Sequence, residues 1–163
     1  MEHVSRLAGG LHRITQSVCQ ALLGLILIGQ LAVVILRYVF GMGFIELQDA
    51  VAYSFAALVV LGLPVAQHLD THVRVDVLRD KQSATTKRWT DRFGVAVFLI
   101  PVFGLIIWWV WPDVAFAWKI REGSLETGGL PGLYLVKSTL PLACVLMIIQ
   151  GVSGVLVQET RRG

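Results

Sequence analysis

Long apolar runs, set apart by polar breaks, divide this chain from end to end. The first runs from about Val18 to Val39 around ALLGLILIGQLAVVIL, the second from Glu46 to Gln67, the third from Phe93 to Trp118 and the fourth from Leu133 to Val157. A helix needs about 20 apolar residues to cross a hydrocarbon layer roughly 30 Å thick, so each run predicts a membrane-spanning α-helix. Residues 68–92 form the long polar connection between the second and third spans. The expected fold class is an all-α integral membrane protein of four transmembrane helices, one transmembrane domain over residues 1–163.

Inside the spans the small and polar positions stand out. Gly24 and Gly29 in the first span, and Gly151 and Gly154 in the fourth, offer close approach to a neighbouring helix. Gln30 is a mid-membrane amide expected to bond across to another helix. Glu46, Asp49 and Tyr53 recur at helical spacing and share one face at the start of the second span. The positive end of the helix dipole suits Glu46, whereas Asp49 lies deeper. Pro64 is expected to kink the second span near its exit, and Pro112-Asp113 to bend the third. Trp108, Trp109, Trp111 and Trp118 gather toward one end of the third span and read as an interfacial belt rather than a stacking platform. Lys137 sits about a turn inside the fourth span, four residues before Pro141.

Composition agrees with the pattern: 55% of residues are hydrophobic and 15% charged, against about 25% charged in soluble domains. The net charge of +3 does not indicate nucleic acid, because the cations concentrate in one connection. Arg74, Arg79, Lys81, Lys87, Arg88 and Arg92 lie there; Arg6, Arg13, Arg161 and Arg162 fall on the same side, and Arg37, Lys119 and Arg121 on the other. The positive-inside rule places both termini and the basic connection in the cytoplasm. Within it VRVDVLRD alternates and suits an extended course, while Ser83 to Trp89 suits a surface helix. The N-terminal run is too long for a signal-peptide core and reads as a retained first span.

Orientation brings Arg37, Glu46, Asp49 and Lys137 into one leaflet, from three helices. Intramembrane charges pair or face a protein interior, so these residues form a candidate interhelical or subunit-interface polar cluster in which Lys137 meets Glu46 or Asp49, directly or through a partner. Separate snorkelling to water is the plainer alternative. Cys19 and Cys144 stand alone in apolar runs, which leaves no redox or zinc pair. His68 and His72 lie four apart, but a metal centre needs three or four ligands, and histidines on one face cannot clamp a haem from both sides. No metal or other cofactor is expected.

Laid end to end, these residues resemble the small permease (DctQ-like) subunit of a tripartite ATP-independent periplasmic (TRAP) transporter. The resemblance rests on Arg37-Tyr38-Val39-Phe40, Glu46-Leu47-Gln48, Leu61-Gly62 with Ala66, and His72-Val73-Arg74-Val75-Asp76. It continues through Glu122-Gly123-Ser124, Gly129-Leu130-Pro131, Lys137 with Pro141, and Gln150-Gly151. It implies a non-enzymatic scaffold subunit in the bacterial inner membrane. Its implied partners are a large multi-span permease, which holds the sodium and substrate sites, and a periplasmic solute-binding protein; the lipid bilayer is its solvent. The implied cargo is an organic acid or similar small solute. Two other readings stand beside it. An independent homo-oligomeric transporter would use Glu46 as its coupling carboxylate, and a membrane redox enzyme would need the cofactor ligands that the sequence lacks.

Overall fold

The computed structural model describes residues 2–68 and 84–160. Its helices are α1 (Glu2–Tyr38), α2 (Ile45–His68), α3 (Ala84–Phe93), α4 (Ile100–Ile120) and α5 (Leu133–Thr160), with a π-helical segment Gly94–Leu99 joining α3 to α4. Among the described residues there is no strand, only an antiparallel bridge between Gly123 and Pro131. Four helical stretches are long and apolar enough to cross a membrane: Gly9–Tyr38, Ile45–Gln67, Gly94–Ile120 and Leu133–Val155. The all-helical, four-span expectation therefore holds.

α1 starts well before the predicted Val18. Its packing explains why. His12, Thr15, Cys19, Leu22, Ile26, Gly29, Val33 and Leu36 are buried or half-buried, at alternating steps of three and four residues. That is the spacing of a packed helix seam, and it extends into the polar N-terminal turns. α1 packs on α2, α2 on α5 and α5 on α4; α1 also touches α5, while α1 and α4 share no packed interface. The spans thus form an open row with α2 and α5 in the middle. Cys19, Leu61, Ala143 and Leu146 are the centre of the core, with Leu22 and Leu58 packed on them.

Two glycines set the close contacts. A Cβ on Gly29 would lie 2.8 Å from Val51 Cγ2, and one on Gly151 would lie 2.8 Å from Leu99 Cδ1. Gly24 and Gly154 face open space, so they do not share that role. The contrast gives a matched test. Gly29→Leu should lower the melting temperature of the purified protein, since overpacking costs about 1–3 kcal/mol. Gly24→Leu should leave it near the starting value.

The helices continue past their interior prolines. α2 continues past the buried Pro64 to His68, and α4 past Pro112 to Ile120. Ahead of Pro101, at the start of α4, the helix widens without interruption: the Ile100 N–H reaches back five residues to the Val95 carbonyl. A proline cannot donate to the carbonyl four residues before it, and a wider π turn accommodates the loss. The predicted surface segment is helical as α3, but Phe93 keeps helical dihedrals (φ −62, ψ −45), so α3 runs directly into the third span. Arg74, Arg79 and Lys81, with the alternating stretch, lie outside the described residues; Lys87, Arg88 and Arg92 belong to α3.

Candidate functional site

The polar chemistry gathers where α1–α2 and α4–α5 are joined by the connections 39–44 and 121–132. The second connection is held by side chains from two helices, α2 and α5. Asp49 and Tyr53, one turn apart on α2, grip the same residue from its two polar groups. The Leu130 N–H donates to Asp49 Oδ2 at 2.9 Å, and the Tyr53 hydroxyl donates to the Leu130 carbonyl at 3.1 Å. That carbonyl also accepts from the Ser124 N–H at 3.1 Å, which closes the loop on itself beside the Gly123–Pro131 bridge. A carboxylate accepting a backbone N–H is a charge-assisted bond, stronger than a neutral one.

Glycine is required where the loop meets α2. A Cβ on Gly129 would overlap Asp49 Oδ2 and the Ser124 side chain. Gly128 adopts φ +81 and allows the reversal at the tip. The Gly129 N–H donates to the Glu126 carbonyl at 3.0 Å, and the Glu126 N–H to Ser124 Oγ at 3.2 Å. Leu125, at the tip, is 94% exposed.

The other anchor is an ionic one. Lys137 Nζ lies 2.8 Å from Glu122 Oε2 and 3.2 Å from Asp113 Oδ2. It thereby ties α5 to the last turns of α4 and to the start of the loop. Beside it Trp118 Nε1 donates to Ser138 Oγ at 2.8 Å, Ser138 Oγ donates to the Tyr134 carbonyl at 2.8 Å, and the Trp118 and Tyr134 rings meet edge to face at 4.8 Å.

Among the described residues Lys137 makes no ion pair with Glu46 or Asp49. Asp49 serves the loop backbone, Lys137 pairs with Glu122 and Asp113, and Arg37 and Glu46 are exposed with no ion pair among the described residues. A lone lysine in a span calls for carboxylates, and here they come from α4 (Asp113) and from the start of the loop that follows it (Glu122). Sequence spacing along α2 could not reveal those neighbours. Among the described residues no group of three histidine, cysteine or acidic side chains could hold a metal. His72 and the side chain of His68 lie outside the described residues. Cys19 and Cys144 are free and buried, and Trp108 and Trp109 are exposed on α4.

Residues 25–162 match the family model described as tripartite ATP-independent periplasmic transporters, DctQ component. The chain belongs to the DctQ family. No curated protein and no solved structure matches it. The DctQ family is a component of a transport system and not an enzyme family, so the membrane-spanning helices of this DctQ chain belong to a small permease component. The motifs that carried the resemblance acquire physical roles. Glu122 is the partner of Lys137, and the Gly129-Leu130-Pro131 turn is the part of the loop that Asp49 and Tyr53 hold. In this DctQ chain the polar residues near the loops brace one helix pair against the other.

Proposed function

We propose that this chain is the scaffold subunit of a TRAP transporter: it braces a large permease subunit in the bacterial inner membrane during sodium-coupled, binding-protein-dependent uptake of an organic acid or similar small solute. Both termini and the 68–92 connection face the cytoplasm, and the 39–44 and 121–132 connections face the periplasm. Sodium and substrate sites belong to the large subunit, and this chain needs no cofactor of its own.

One observation carries the reading. Arg37, Glu46, Asp49, Asp113, Lys119 and Lys137 lie toward the end of the spans that carries the 39–44 and 121–132 connections, and His12 and Arg13 lie toward the opposite end. A secondary transporter binds its coupling ion near mid-depth, on broken helices or intramembrane charges. Among the described residues, mid-depth carries no charged side chain, and its polar groups are uncharged, such as Gln30 and Ser54. An open row of helices with a rigid loop end suits a static brace better than an alternating-access machine, which disfavours an independent homo-oligomeric transporter.

Two measurements in cells test this. An affinity tag on this chain should recover the large subunit from solubilised membranes. Thr127→Cys should react with an impermeant maleimide in intact cells, and Ala84→Cys only after the membrane is breached. Labelling of Ala84→Cys in intact cells would overturn the orientation, and recovery of this chain alone would overturn the scaffold role.

A further inference from the structure

α1 carries three parallel stripes at heptad spacing. The first is the seam that packs on α2. The second, one residue earlier at each step, is wholly apolar and includes Ile14, Val18, Ala21, Leu25, Ile28 and Ile35. The third, one residue later, holds Arg13, Gln16, Gln20, Gln30 and Arg37, with Leu23, Leu27 and Val34 between them. Apart from Gln16, the residues named on the third stripe are exposed, as are those named on the second. α1 is at the edge of the helix row, so among the described residues no helix covers its outer flanks.

Lipid suits the apolar stripe and does not suit the other. Gln30 lies near mid-depth of the Val18–Val39 run, is exposed, and makes no hydrogen bond among the described residues. A primary amide in hydrocarbon, too short to reach either interface, has to find a partner inside the membrane. Helices supply such partners across an interface. A second copy of this chain is a poor occupant. Parallel two-fold pairing along this stripe would set Arg13 against Arg13 and Arg37 against Arg37 at the ends of the contact.

Resting on the scaffold role above, we propose that the α1 flank centred on Gln30 seats a transmembrane helix of the large permease subunit. That helix presents a hydrogen-bonding side chain to Gln30 at mid-depth and polar or acidic groups to Arg13 and Arg37 at its ends. The apolar flank through Leu25 and Ile28 faces lipid.

The test uses the assembled complex. A benzophenone amino acid is placed at Leu27, Gln30 or Val34, or on the other flank at Leu25, Ile28 or Ile35, and the purified complex is irradiated. Adducts with the large subunit should form from the first set and not from the second. The reverse pattern, or adducts between two copies of this chain from the first set, would overturn the assignment. If the large subunit is not recovered at all before irradiation, the scaffold role itself fails, and the two failures are thereby distinguished. As a second readout, Gln30→Leu should reduce the large subunit retained under detergent challenge by roughly three- to fifteen-fold, the range expected for one interhelical hydrogen bond. Ile28→Leu should leave it unchanged. Full retention in Gln30→Leu would contradict the seat.

Discussion

Asp49→Ala should release the 121–132 loop from α2 and give the largest local effect of any single change at this site. Among the described residues the Leu130 N–H has its acceptor only in the Asp49 carboxylate, and Asp49 and Leu130 are both half-buried. Removing the acceptor leaves a donor poorly reached by water, which costs about 1–3 kcal/mol. Tyr53 would keep its bond to the Leu130 carbonyl, but that bond alone does not fix the loop's position along α2. Amide exchange at Leu130 should therefore accelerate by about five- to 150-fold, which is that cost expressed as a population of open loop. Asp49→Asn keeps an acceptor and loses the charge, so it should fall between wild type and alanine. Gly129→Ala should mimic the loss from the opposite side, because its methyl would occupy the space that the carboxylate fills. Unchanged exchange in Asp49→Ala would mean that the bridge and Ser124 suffice to hold the turn.

Lys137→Glu should have the second largest effect, and its rescue is specific. The substitution gathers three carboxylates where one ammonium now stands between two. Glu122 matters more than Asp113: its side chain is 21% exposed against 61%, and its oxygen lies closer, at 2.8 Å against 3.2 Å. Breaking a fully buried pair costs about 3–5 kcal/mol, and solvent screening at this partly exposed site reduces that to roughly 1–3 kcal/mol. The melting temperature should fall accordingly. Glu122→Lys in the same chain should restore most of the loss, because the pair is re-formed with its charges exchanged. Asp49→Lys should not, since Asp49 is committed to the Leu130 backbone. Rescue by Asp49→Lys and not by Glu122→Lys would put the contact of Lys137 on α2 instead of on the loop.

The helices were legible because a bilayer is a demanding solvent. Backbone groups must be satisfied within each span, and length and apolarity alone reveal where that happens. Where α1 begins was less visible. His12 and Thr15 look polar and loop-like in composition, yet their spacing continues the Cys19–Leu22–Ile26 seam, and only the heptad pattern discloses it. The neighbours of Lys137 were hidden for another reason. Row order places α5 between α2 and α4, so a residue on α5 has two possible sources of counter-charge, and nothing in one chain's hydropathy chooses between them. Pro101 shows how a span absorbs a proline: a π turn precedes it, and the helix runs on from α3 into α4. Glycine spacing was half informative: Gly29 and Gly151 lie at contacts and Gly24 and Gly154 do not, because rotation about the helix axis, and not position along it, decides which glycine meets a neighbour.

The most direct measurement is solute uptake into proteoliposomes containing the large permease subunit, with its binding protein and a sodium gradient supplied, in the presence or absence of this chain. Uptake should require the large subunit and this chain together, and this chain reconstituted alone should move no solute. Uptake by this chain alone, or undiminished uptake by the large subunit without it, would contradict a bracing role.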